Sequence, residues 1–176
     1  MMSMVYLFWM YVFVFAFIGA MRGWVKELLV SFSAITALAV NLLLEKYIPL
    51  VKELDQNGSS LFWIRSLILM TLVYFGYQTV VSIPRLASKA TRERLQDTLF
   101  GAVMGAFNGY LVVGSILFYN HMANYPYPDI MSRATDPVIV AAIDNLIKYM
   151  PPRFLGEPSI YFIVIIILIF IIVVFV

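Results

Sequence analysis

Cysteine is absent from the 176 residues, and His121 is the only histidine. Without thiols the chain can form neither a disulfide nor a thiolate metal site, and one imidazole cannot hold a zinc ion by itself. Ser115 lies six residues from His121, on a different helix face. These residues therefore lack the arrangements of a serine hydrolase or a zinc enzyme, and we expect a protein that is not an enzyme.

Charged residues are also scarce, at 12% of the chain, whereas apolar residues make up 62%. A soluble domain typically has about 25% charged and about 45–50% apolar residues. Such a composition leaves too little polar surface to face water, which predicts a protein surrounded by the lipid bilayer. The net charge of +2 is too small to indicate a nucleic-acid partner.

Five apolar stretches are long enough to cross a bilayer, which takes roughly 20 residues of helix. They occupy residues 4–21, 24–44, 61–83, 98–119 and 159–176. Only Arg22 and Gly23 separate the first two, and Pro84 ends the third. The pattern predicts an all-α polytopic membrane protein with two helical hairpins and a C-terminal fifth transmembrane helix.

The predicted helices divide the chain into three parts. Residues 1–119 form a four-helix membrane domain, and residues 159–176 form the C-terminal transmembrane helix. Between them, residues 120–158 form an extramembrane loop with a short helix over 137–150. Apolar side chains cover broad faces of that short helix, which favours a position on the bilayer surface.

Basic residues are dense in the two short connections and sparse in the longer ones, although each set numbers six. Connections rich in lysine and arginine tend to stay in the cytoplasm. We therefore predict an N-terminus outside and a C-terminus inside. The short connections contain Arg22, Lys26, Arg85, Lys89, Arg92 and Arg94, and the longer ones contain Lys46, Lys52, Arg65, Arg133, Lys148 and Arg153.

Charged residues fall at helix ends and in loops, which is unlike proton pumps and ion-coupled transporters. Arg65 lies one turn inside the third stretch, where its long side chain can reach the headgroups. His121 either caps the fourth helix or serves as the single ligand to a chlorophyll-type magnesium ion. The aromatic rings of the first helix either anchor it at the interfaces or stack on a carotenoid or quinone.

Glycines recur every four residues in the fourth helix, at Gly101, Gly105 and Gly109. Such a strip lets another backbone approach closely, which drives helix association in lipid. The approaching helix belongs either to this chain or to a second copy or partner. Gly19 and Gly23 form a weaker strip near the first turn. Further inside the helices, Asn41 and Asn108 are candidates for hydrogen bonds between helices.

Two segments together resemble the CvpA (colicin V production protein) family. Arg22-Gly23-Trp24-Val25-Lys26-Glu27-Leu28-Leu29 is similar to that family's turn between its first two helices, and Asp97-x-x-x-Gly101-x-x-x-Gly105-x-x-x-Gly109 is similar to its fourth-helix entry. Order, spacing and hydropathy agree over residues 4–119. The departures are Asn108, where the family often has arginine, and the extension over residues 120–176.

The resemblance implies a bacterial inner-membrane protein, not an enzyme, with a role in colicin V production or export. The matching residues then have an architectural role. Arg22 and Glu27 are expected to pair with Asp97 and Arg94, clamping the two hairpins together.

Three functions remain open at this point. The first is a non-catalytic scaffold or accessory subunit of a larger membrane complex. The second is a subunit that holds carotenoid, quinone or bacteriochlorophyll in a photosynthetic or respiratory complex, with His121 as a ligand. The third is a small pore or exporter component.

Overall fold

Every regular element is a helix in the computed structural model, which describes residues 4–55, 58–82 and 94–175. This confirms the all-α prediction. In chain order the helices are α1 (Met4–Arg22), α2 (Trp24–Tyr47), α3 (Pro49–Lys52), α4 (Ser59–Ser82), α5 (Arg94–Met122), α6 (Pro137–Lys148), α7 (Pro151–Phe154) and α8 (Ser159–Phe175). The predicted end of the third stretch at Pro84 and the basic residues Arg85, Lys89 and Arg92 lie outside the described residues.

Four of these helices are long and apolar enough to cross a membrane: α1, α2, α4 over Ser59–Gln78, and α5 over Leu95–Met122. The helix α8 is almost purely aliphatic but has only 17 residues. At a rise of about 1.5 Å per residue it is roughly 25 Å long, against a hydrocarbon core of about 30 Å. The fifth crossing therefore stays a prediction.

The packing pairs differ from the predicted hairpins. The helix α1 packs along α5 and makes little contact with α2, although a single residue joins α1 to α2. The helix α2 is central, in contact with α4, α5 and α8. Close packing depends on small residues at the contact, and the glycine strip of α5 provides α1 with a better surface than α2 does.

Small side chains also explain why α2 is central. Ala34 and Ala37 are fully buried, and Leu38 is almost so. Opposite them, Gly76 of α4 lies against Ser33 of α2, and a Cβ atom on Gly76 would be 2.7 Å from the Ser33 Cβ. These short side chains bring the α4 backbone close to α2, so α2 is enclosed on several sides.

The short helix α6 begins at an Asp136 cap, whose carboxylate accepts a hydrogen bond from the Val138 N–H at 2.8 Å. Its apolar face packs on α1 and α5 rather than facing outward. The cluster comprises Met4, Phe8, Val113, Leu117, Ile143, Ile147 and Met150. One apolar face of the short helix therefore covers the bundle, whereas Val138, Ala141 and Ala142 are exposed, and the position on the bilayer surface stays a prediction.

A polar tether fixes the start of α8. Lys46 of α2 donates to the Glu157 carboxylate at 2.6 Å, and the Tyr161 hydroxyl donates to the same carboxylate at 2.6 Å. The tether places α8 beside α2 at the opposite end of the bundle from Arg22. We call these two ends the Lys46 end and the Arg22 end.

Candidate functional site at the Arg22 end

The turn between α1 and α2 is a single glycine held by a side chain from α5. Gly23 has φ of 88°, a conformation that suits glycine because other residues incur a steric cost there. A Cβ atom on Gly23 would also collide with the Asp97 carboxylate. Asp97 accepts a hydrogen bond from the Trp24 N–H at 3.1 Å, so a residue of α5 caps the start of α2.

A buried carboxylate lies one turn into α2. Glu27 is fully buried, and its Oε1 is 2.9 Å from Arg22 Nε. The alignment of these two atoms is that of an ion pair rather than a hydrogen bond. The Arg22 guanidinium also lies over the Tyr77 ring, 4.4 Å from its centroid. Arg22 thus connects α1 with both α2 and α4.

Asn108 of α5 completes the environment of this carboxylate. Its side-chain N–H groups donate to Glu27 Oε2 at 2.8 Å and to the Glu27 backbone carbonyl at 2.9 Å. The Ser31 hydroxyl donates to Asn108 Oδ1 at 2.6 Å. A buried carboxylate is tolerated when it is paired and hydrogen-bonded, and here two other helices, α1 and α5, supply its partners.

The glycines of α5 lie directly against α1. A Cβ atom on Gly19 would collide with the Gly101 carbonyl oxygen, and one on Gly105 would lie 2.9 Å from the Gly19 Cα. On Gly109 it would lie 2.9 Å from the Phe15 Cβ. The strip therefore makes its contact within this chain, where backbone meets backbone.

The structure brings together nearly all the residues that the sequence singled out, but it pairs them differently. Arg22 binds Glu27, and Asp97 binds the backbone of α2, so the expected pairing of Arg22 with Asp97 is not present. The side chain of Arg94 lies outside what the structure describes. The sequence indicated no role for Tyr77 or Ser31, although Ser31 lies four residues after Glu27 and hence on the same helix face.

A further ion pair, besides that of Lys46 with Glu157, lies at the Lys46 end. Both nitrogens of the Arg65 fork, Nε and an NH group, donate to the Glu45 carboxylate at 2.7 Å. Asn41 donates to the Arg65 carbonyl at 3.1 Å and to the Tyr119 hydroxyl at 3.4 Å. Protein groups thus hold Arg65, and its reach to the headgroups stays a prediction. A cavity of about 90 Å³ adjoins these residues.

His121 has a neighbour that accounts for its position. Its Nδ1 lies 3.1 Å from the Tyr125 hydroxyl, and burial raises the pKa of Tyr125 above the ordinary value of 10.0. The cavity that His121 borders measures about 10 Å³, whereas ligand pockets are typically 300–1,000 Å³. Within the described residues, no group of three or more histidine or acidic side chains could hold a metal ion.

These features define a class: a multi-pass helical membrane protein whose buried polar groups join its helices. The family is identified by a match of residues 6–135 to the family model described as Colicin V production protein. The chain therefore belongs to that family, as the two motifs of the Arg22 end suggested. No curated protein matches it, and no solved structure does. The helices α6, α7 and α8 lie beyond the matched residues.

Proposed function

We propose that this protein is a non-enzymatic scaffold or accessory subunit of a larger membrane complex. The main observation in support of the proposal is that the polar groups at the Arg22 end bond to one another. Glu27 and Asn108 are fully buried, and each bonds to other helices. Catalysis needs polar groups that face a substrate, whereas these groups face one another.

The outer face of α1 is the surface that we propose for docking. Tyr6, Phe13, Phe17 and Met21 are each at least 70% exposed, and they recur at helical spacing on the side away from α5. Aromatic residues and methionine are enriched where proteins bind one another. Because α1 contacts little besides α5 among the described helices, we propose that its outer face receives a neighbouring subunit.

The family supplies the setting of the proposal. We place the protein in a bacterial inner membrane, where its complex serves colicin V production or export, with the N-terminus outside. The pigment-binding alternative lacks a comparable observation, because His121 borders only a very small cavity.

Photo-crosslinking from the outer face of α1 tests the scaffold role. A photoreactive phenylalanine at Phe13 or Phe17 should yield the same protein adduct of defined mass in native membranes. The matched control is Leu67 of α4, which is also well exposed, at 57%. It should yield lipid adducts only. If all three positions give nothing but lipid adducts, α1 faces the bilayer and the proposal is wrong.

A further inference from the structure

An apolar groove of about 400 Å³ opens at the Lys46 end, between α1, α4 and α5. Leu7 and Tyr11 of α1, Trp63 of α4 and Ile116 of α5 form its walls, and Tyr127 from the following loop covers its outer part. Among the described residues, those that line the groove include no acidic or basic side chain. Because its three walls are membrane-crossing helices, the molecules that reach the groove are those of the bilayer.

The groove runs along the helix axes for a substantial part of one leaflet. Leu7 and Leu117 both line it, Tyr11 is one turn deeper along α1, and Asn120 is one turn further out along α5. At about 1.5 Å per residue these steps add to roughly 10 Å. Half of a hydrocarbon core of about 30 Å is about 15 Å. The groove is therefore long enough to hold the outer segment of one lipid acyl chain.

The outer end of the groove carries polar groups, near the ends of the candidate membrane-crossing helices. Trp63 Nε1 donates to the Tyr127 hydroxyl, and the two rings meet edge to face with centroids 5.8 Å apart. Tryptophan and tyrosine favour the headgroup boundary. Asn120, only 8% exposed, donates to the Met131 sulfur at 3.2 Å. A thioether is a weak acceptor, so an ester carbonyl would be a better partner for this amide.

From this geometry we infer that the groove binds one acyl chain of a membrane phospholipid, with Asn120 donating to the ester carbonyl. The hydrophobic effect does not drive this binding, because the bilayer is as apolar as the groove. Shape and the amide hydrogen bond provide the selectivity. The inference is independent of the scaffold role, which concerns the other face of α1.

Fluorescence quenching in detergent tests the site with a matched control. The chain has three tryptophans, so W9F/W24F leaves Trp63 alone and W24F/W63F leaves Trp9 alone. Trp63 and Trp9 are similarly exposed, at 47% and 52%, but only Trp63 lines the groove. Titration with a diester phospholipid brominated on its acyl chains should quench Trp63 saturably, at about one lipid per protein. Trp9 should show only gradual quenching. Equal quenching of both would overturn the inference.

Two further experiments test the hydrogen bond from the Asn120 amide and the identity of the lipid. Asn120→Leu should raise the lipid concentration for half-quenching about fivefold, as the loss of one hydrogen bond implies. A brominated diether phospholipid lacks the ester carbonyl, so the protein with Asn120 unaltered should need about the same higher concentration of it for half-quenching. The role of Asn120 can therefore be tested even if Asn120→Leu folds poorly. Equal affinity for diester and diether lipids would contradict the role of Asn120. Stronger competition by a quinone than by unlabelled phospholipid would overturn the choice of ligand.

Discussion

At the scale of single residues, the most demanding position is Glu27. A carboxylate with no exposed surface is stable only when its partners are in place, and here they come from α1 and α5. The side chain therefore reports on whether three helices have assembled correctly.

We expect Glu27→Ala to lower the free energy of unfolding by about 3 kcal/mol, since it removes the carboxylate that Arg22 and Asn108 share. The measurement is an SDS titration in mixed micelles. Arg22→Ala in the Glu27→Ala background should cost less than it does alone, because no unpaired charge remains. Lys26→Ala is the neighbouring control. Additive losses for Arg22 and Glu27 would show that their ion pair is unimportant.

Asp97 caps α2 through a side-chain oxygen, and we expect this oxygen, rather than the charge, to stabilise the turn. Asp97→Ala should lower the free energy of unfolding by about 1 kcal/mol, the usual cost of losing a helix cap. Asp97→Asn keeps an acceptor oxygen for the Trp24 N–H and should cost less. The same SDS titration compares them. If Asn is as destabilising as Ala, the carboxylate interacts through its charge instead.

At the scale of helices, the contact of α1 with α5 depends on the absence of side chains. Gly19 and Gly105 meet through backbone atoms, which cannot move aside as a side chain can. This contact between glycines therefore determines which helix packs against α1.

Gly105→Ala should destabilise the bundle by about 1–3 kcal/mol, the range for an overpacked contact. Gly156→Ala is the matched control, because a Cβ atom there would meet nothing within 4 Å. It should change stability by less than about 0.5 kcal/mol. Thermal unfolding in detergent provides both values. Equal stability of the two variants would mean that α1 does not pack as closely as described.

The tether of α8 should depend on pH. Hydrogen bonds from Lys46 and Tyr161 lower the pKa of Glu157 below its ordinary value of 4.5. A depressed carboxyl pKa contributes stability above the unfolded-state value, and that contribution is lost as the pH falls through the folded-state value. A spin label on Leu168→Cys should therefore become more mobile below about pH 4.5. Glu157→Gln should remove that dependence, and an unchanged pH profile would exclude Glu157 as the cause.

At the scale of the whole molecule, the described helices separate two ends. Lys26 lies beside the turn at the Arg22 end, and Lys52 lies in α3, just beyond the Lys46 end of α2. If the protein crosses the membrane as proposed, these two lysines face opposite compartments.

Because the chain has no cysteine, each introduced cysteine is the sole thiol. An impermeant maleimide applied to intact cells should label Lys52→Cys, whereas Lys26→Cys should react only after permeabilisation. Labelling in the reverse order would invert the orientation, and labelling of both in intact cells would rule out this arrangement of spans.

Composition and the length of apolar runs determined the helical class by themselves, because crossing a bilayer imposes a length and a polarity that are visible residue by residue. The family was indicated by the two motifs at Arg22 and Asp97. The glycine spacing likewise marked the close contact of α5. Only the tertiary structure decided which helix fills that contact, and that Arg22 pairs with Glu27 while Asp97 caps α2. The contact of α1 with α5 and the Asp97 cap depend on distances between helices far apart in the chain, and the Arg22–Glu27 pair depends on the geometry of the Gly23 turn between α1 and α2.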